Sequence, residues 1–101
     1  MLLSKVRNRY MDKAHKKVEV YSTALCPYCL RAINLLESKG IDYVIYPVDK
    51  KLHLREEMEL RSQRTSVPQI FIEGIHIGGY DEMAGLDRGN ELDALLGLKA
   101  N

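Results

Sequence analysis

Two cysteines, the only ones among 101 residues, stand three positions apart in Cys26-Pro27-Tyr28-Cys29. A strand-like run, Val18-Glu19-Val20-Tyr21, precedes them, and a helix-like run, Leu30-Arg31-Ala32-Ile33-Asn34-Leu35-Leu36, follows. A strand–CxxC–helix unit in a small domain reads as a thiol–disulfide redox site. Cys26 falls at the N-cap end of the helix, where unpaired backbone N–H groups and the helix dipole favour an anion. The thiolate is the attacking species in disulfide exchange, so this position activates Cys26. Cys29, one turn later, is more enclosed and close enough to resolve a mixed disulfide formed on Cys26. Other uses of two cysteines fit less well. Structural zinc needs four ligands, and His15, His53 and His76 are scattered, with no His-x3-5-His pair. A structural disulfide across so short a loop constrains almost nothing.

Three further groups of residues can serve the same site. The Val67-Pro68 bond is of the kind that can be cis at modest cost. Beside a CxxC, a cis bond would expose the backbone N–H and C=O of Val67 for strand-like pairing with a bound peptide. Gly78-Gly79-Tyr80-Asp81-Glu82 places two glycines before a helix start, so backbone N–H groups can closely approach an anion. Asp81 there can cap the helix and attract an ammonium group. Arg64, Thr65, Ser66 and Gln69 surround Pro68 and can take a carboxylate, Arg64 in bidentate fashion. Tyr28 can pack on a substrate or cover Cys29.

The pattern of elements must bring these groups together. Residues 17–22 are rich in β-branched and aromatic types and read as a strand. Residues 27–39 read as a helix with Leu30, Ile33, Leu35 and Leu36 as its apolar face and Gly40 as its C′ stop. Residues 43–48 form a continuous apolar run suited to a buried parallel strand. Asp49 is placed to cap a helix over 51–62, with Leu54, Met58 and Arg61 on one face. Residues 69–72 and 75–77 read as a hairpin joined by Glu73-Gly74. A last helical segment starts at Tyr80. Gly89 interrupts it, and Asn90 and Asp93 are placed to cap a short final helix through Leu96. The order is β-α-β-α-β-β-α, without internal repeats.

Composition sets the frame. One domain of 101 residues with 46% apolar residues and a net charge of +1 points to neither nucleic acid nor membrane. No apolar run reaches the length of a membrane span, and Leu2-Leu3 is too short for a secretory h-region. A lone CxxC without other disulfides suits a reducing compartment, and a cytoplasmic location is expected. Residues 1–16 read as a basic extension, possible as a disordered tail or a short amphipathic helix, ahead of a domain over 17–101. Over residues 1–17, Lys5, Arg7, Arg9, Lys13, Lys16 and Lys17 stand against Asp12 alone, whereas the rest of the chain is net acidic.

Together, the CPYC motif, Thr65-Ser66-Val67-Pro68-Gln69-Ile70-Phe71-Ile72 and Gly78-Gly79-Tyr80-Asp81-Glu82 resemble a dithiol glutaredoxin of the small bacterial type, over roughly residues 17–97. CxxC alone would not separate glutaredoxin from thioredoxin, but the three segments at these separations do. The resemblance implies an α/β, thioredoxin-like fold with a four-stranded mixed β-sheet flanked by helices. It implies glutathione as co-substrate, with no permanently bound cofactor and no metal. Cys26 would attack and Cys29 resolve. Val67, before a cis Pro68, would pair with the cysteinyl part of glutathione, and Tyr28 would line the groove. Gly79, Tyr80 and Asp81 would hold the γ-glutamyl end. Arg64 and Gln69 lie where the family approaches the glycyl carboxylate. Expected partners are glutathione, glutathionylated or disulfide-containing proteins and, indirectly, glutathione reductase, with the protein acting as a monomer.

The sequence departs from the family at one chemically important position. Many relatives carry Lys three residues before the first cysteine, and this chain has Thr23. Lys50, Lys51 and Arg64 are the other nearby sources of positive charge. Ser66 in place of the commoner Thr is a mild change. Two other functions compete with reduction of glutathione mixed disulfides. One is a carrier of a [2Fe–2S] cluster held by Cys26 and glutathione, which Pro27 disfavours. The other is a redoxin reduced by thioredoxin reductase.

Overall fold

The computed structural model describes residues 15–98; apart from His15 and Lys16, the expected basic extension lies outside them. The chain forms β1 (Val18–Ser22), α1 (Pro27–Ser38), β2 (Val44–Pro47), α2 (Leu52–Ser62), β3 (Gln69–Ile72), β4 (Ile75–Gly78), α3 (Tyr80–Arg88) and α4 (Leu92–Leu96). The strands make one sheet in the order β2-β1-β3-β4. β1 runs parallel to β2 and antiparallel to β3, with Val20 opposite Ile70. β3 pairs antiparallel with β4. This is the mixed four-stranded sheet of a thioredoxin-like fold.

Alternation along the central strands builds two cores, because successive side chains point to opposite faces. Val18, Val20, Ile70 and Ile72 pack against Ala32 and Leu36 of α1, Met83 of α3, and Leu92 and Leu96 of α4. Tyr21 and Phe71 face the other way and meet Val48 and Met58 of α2. The second face is partly polar. Arg61 pairs with Glu19 at 3.1 Å, donates to Tyr21 Oη at 2.8 Å and lies 3.9 Å over the Phe71 ring. Tyr46 donates to Glu19 at 2.8 Å. Burial pushes the Glu19 carboxyl up, but the bonds from Arg61 and Tyr46 outweigh it and hold the group below its ordinary range.

Local signals account for the element ends. α1 starts at Pro27, whose fixed φ and missing N–H suit a first helical turn, and Gly40 follows its end with φ +71°. Glu73 and Gly74 take φ of 50° and 80°, the two positive values of a tight hairpin turn.

Several expectations need correction. Leu30 is not on the buried face of α1; that face is Cys29, Ala32 and Leu36, and Leu30 is exposed. β2 is parallel as expected but lies at the sheet edge, so Val44 and Ile45 remain accessible. Asp49 does not cap α2, which starts after Lys51 without a side-chain cap; its carboxylate is engaged elsewhere. Neither Asn90 nor Asp93 caps α4. Asn90 is a left-handed link residue with φ 64°, and Asp93 bonds Lys39 at 2.7 Å. Among the described residues, no helix is long and apolar enough to cross a membrane.

Candidate active site

Cys26 is the N-cap of α1, extended at φ −137° and ψ 106°, and its sulfur accepts the Cys29 N–H at 3.1 Å. The sulfur thus takes one of the amides that a helix start leaves unpaired. Cys26 is half-buried at the surface, whereas Cys29 is 2% exposed. Both thiols are free. Burial, above all, pushes the Cys29 thiol well up; the neighbouring Cys26 and Asp49 add to this, and the Thr23 backbone opposes it. One cysteine is therefore presented with a backbone donor, and the other is kept as an enclosed thiol one turn behind it.

The loop carrying Cys26 is anchored from below. Asp49 Oδ2 accepts the Ala24 N–H at 3.1 Å, and Val48 N–H bonds Ser22 O at 3.0 Å. The end of β2 therefore holds the residues that enter the CxxC. Leu25, at the loop crest, is 96% exposed. A shallow apolar cleft of about 460 Å³ runs along this loop to Leu30 and Ile33, and Thr23 forms part of its wall.

A second cleft, of about 250 Å³, is bounded by Tyr28, Arg64, the segment Ser66–Pro68 and the segment Gly79–Glu82. The Val67–Pro68 bond is cis, in accord with the resemblance. The Val67 carbonyl oxygen lies 3.9 Å from Cys26 Sγ, which places that sulfur next to the Val67 wall of this groove. Tyr28 forms one wall, its ring 6.3 Å from that of Tyr80 and covered by the Arg31 guanidinium at 5.0 Å. Gly79 is the N-cap of α3. Having no side chain, it leaves capping to the third helical residue, and Glu82 Oε1 accepts the Gly79 N–H at 2.7 Å. The other Glu82 oxygen meets Arg64 at 3.2 Å. The Gly79 N–H and then Arg64 hold the Glu82 carboxyl below its ordinary range. Gly78 has φ +117°, and a Cβ there would sit 2.8 Å from Glu82 Oε1.

Of the residues singled out in the sequence, Tyr28, Arg64, Val67, Pro68, Gly79, Tyr80 and Asp81 all border this groove. Gln69 does not. Its side chain is fully buried and bonds Ser66 O at 3.0 Å, Ser66 Oγ at 3.3 Å and His76 Nε2 at 2.7 Å. It can act on the groove only through Ser66. Asp81 is exposed at the groove edge, but the cap expected of it is made by Glu82. A carboxylate at the third helical position is a recognisable capping signal, so Glu82 was readable. Nothing in the sequence pointed Asp49 towards Ala24, because that contact joins loops brought together by the sheet.

The chain as a whole is similar to known proteins. Residues 18–77 match the family model described as Glutaredoxin. The chain is 52% identical over 79 residues to Glutaredoxin 3 of Escherichia coli K12, covering 78% of this chain and 95% of that protein. The solution structure of glutaredoxin from Brucella melitensis superposes with a TM-score of 0.74 at 37% identity, covering 89% of this chain and 99% of that one. The buckwheat glutaredoxin–glutathione complex gives a TM-score of 0.74 at 26% identity, with 81% of each chain covered. A cysteine at a helix start, a cis-proline groove and these matches lead to one conclusion: the chain belongs to the glutaredoxin family of thiol–disulfide oxidoreductases.

Proposed function

We propose that the protein reduces disulfides at the expense of glutathione and prefers glutathionylated substrates. The observation that carries this reading is the groove beside Cys26, lined by the glycine-led start of α3 and by Arg64, which Glu82 joins to that start. A γ-glutamyl tripeptide has a charged group at each end and a sulfur between them, and it suits such a groove. The buckwheat relative solved with glutathione supports the choice of ligand. In this reading the Val67 backbone pairs with the cysteinyl residue, and Gly79, Tyr80 and Asp81 receive the γ-glutamyl end. Arg64 turns from Glu82 to the glycyl carboxylate, and Tyr28 packs along the ligand.

The chemistry is two exchanges. The Cys26 thiolate attacks the glutathionyl sulfur of a protein–S–SG disulfide. A Cys26–SG bond forms as the protein sulfur leaves as thiolate and takes a proton from solvent. A glutathione thiolate then attacks the glutathionyl sulfur on Cys26, releasing glutathione disulfide and restoring the Cys26 thiolate. For a protein disulfide, Cys29 loses its proton and attacks Cys26 in the mixed disulfide. The client leaves reduced, and the Cys26–Cys29 bond is reopened by two glutathiones. Glutathione reductase supplies the electrons indirectly, and the cytoplasm is the compartment in which such a cycle runs.

The test compares a glutathionylated peptide with the same peptide carrying a cysteine or a cysteamine on its thiol. A kcat/KM at least about tenfold higher for the glutathionyl form supports the reading, since each lost charged contact is worth about a factor of ten. Equal values for all three would contradict it. Turnover with thioredoxin reductase in place of glutathione would reassign the electron donor.

A further inference from the structure

We propose that His76 is a positioning residue for the groove, acting through the buried amide of Gln69 to aim the Val67 N–H at the ligand. The inference rests on the proposed reading of the groove and adds a device behind its wall.

The hydrogen-bond pattern fixes its own polarity. Gln69 has an amide with one donating and one accepting end, and the side chain is fully buried, so both must be satisfied. The Ser66 carbonyl oxygen, 3.0 Å away, can only accept. The Gln69 NH2 therefore faces Ser66, where it also reaches Ser66 Oγ at 3.3 Å. The Gln69 oxygen is left facing His76 Nε2 at 2.7 Å, and that nitrogen must carry the hydrogen. His76 is itself held in place, its ring lying 5.0 Å from that of Phe71. His76 stands opposite Phe71 in the β3–β4 pairing and diagonal to Gln69, on the turn side of a register slip between Ile70 and Phe71.

The consequence at the groove follows from peptide geometry. The Ser66–Val67 bond is trans, since Val67–Pro68 is the only cis bond among the described residues. In a planar trans peptide the C=O and the N–H point in opposite directions. Pinning the Ser66 carbonyl inward on Gln69 therefore turns the Val67 N–H outward. No acceptor within the described residues takes that N–H, and Ser66 and Val67 both line the groove. A free amide beside Cys26, held at a fixed angle, is what an extended peptide ligand needs. Without the His76 donor, the buried Gln69 oxygen would be left unpaired, a cost that drives the amide to leave Ser66 for another partner and frees the Ser66–Val67 peptide to rock.

The experiment uses the whole protein and the variants His76→Phe, which keeps the ring stack, and His76→Gln, which restores a donor. In wild type without ligand, the Gln69 side-chain NH2 protons should be slow to exchange by NMR, and this reading does not depend on glutathione. His76→Phe should lose that protection and raise KM for a glutathionylated peptide by about three- to tenfold, the size of one net hydrogen bond. Its kcat and the rate of Cys26 alkylation by iodoacetamide should be unchanged. His76→Gln should recover most of the KM. Rapid exchange of the Gln69 NH2 in wild type would overturn the proposal, as would an unchanged KM in folded His76→Phe. Should His76→Phe fail to fold, His76→Leu, which also lacks the donor, is measured in its place with the same expected and overturning results. Failure of the glutathione reading itself would appear separately, as wild-type turnover indifferent to the glutathionyl group.

Discussion

Cys26 and Cys29 share a helical turn yet have opposite surroundings. Cys26 is at the surface with the Cys29 N–H on its sulfur; Cys29 is enclosed, and burial pushes its thiol up. A group held above its ordinary value stays protonated at neutral pH, so the resolving step must wait for a proton to leave. With Cys26 already bonded to a client, burial of Cys29 remains as the main obstacle. The release of a client from a Cys26 mixed disulfide should therefore accelerate about tenfold per pH unit between pH 7 and 9. Stopped-flow measurement on a preformed Cys26–peptide disulfide checks this; a rate flat over that range would mean that Cys29 is already ionised. The unequal exposure of the two CxxC cysteines was legible from spacing alone, because helix geometry dictates which one is outermost. Gln69 was misjudged because a polar residue beside a groove gives no sign in the sequence of which way it turns.

Two elements meet at the groove, the Cys26 loop and the start of α3, and each depends on a contact between distant residues. Gly78 combines a left-handed φ with a Cβ position 2.8 Å from Glu82 Oε1. Gly78→Ala should cost about 1–3 kcal/mol of stability and displace the Glu82 carboxylate from the Gly79 N–H. A thermal melt would show the loss, and KM for a glutathionylated peptide should rise with it. An unshifted melting temperature would mean that the turn relaxes freely. Asp49→Ala removes the acceptor of the Ala24 N–H and should cost about 1 kcal/mol while slowing Cys26 alkylation through a looser loop. Unchanged stability and alkylation would show that the contact is incidental. The helix and strand positions were readable from period and punctuation. The misassigned caps were not, since Asp49 fits a cap by sequence while the sheet places it under a different loop. Leu30 likewise fits an apolar periodicity, yet the edge of the cleft leaves it uncovered.

At the scale of the molecule, α2 is fastened to the sheet by charge as well as by apolar packing. Arg61 joins Glu19, Tyr21 and the Phe71 ring across the face that Met58 and Val48 fill. Arg61→Ala would leave the Glu19 carboxylate mostly buried without its cation and should cost about 2–3 kcal/mol in a denaturant titration, discounted from a fully buried pair for partial exposure. Arg61→Met, which preserves stem packing, should cost nearly as much if the charge is what matters. Glu19 and Glu82 are both held below the ordinary carboxylate range. A group with a depressed native value contributes stability above its unfolded value, and that contribution is lost as pH falls through the native one. Stability should thus be level from neutrality to about pH 5 and decline below about pH 4, with a smaller acid loss in Glu82→Gln. An acid limb identical in Glu82→Gln and wild type would remove Glu82 from this account. The four strands and the mixed character of the sheet followed from the family resemblance, whereas the strand order and the edge position of β2 did not follow from its apolar run, which reads the same at an edge as at a centre.

The central claim is that Cys26 alone carries glutathione-dependent exchange, with Cys29 needed only for protein disulfides. Turnover of a small glutathione mixed disulfide, coupled to NADPH through glutathione and glutathione reductase, tests it for wild type, Cys26→Ser and Cys29→Ser. Activity is expected in wild type and Cys29→Ser and none in Cys26→Ser. Full activity in Cys26→Ser, or none in wild type, would contradict it.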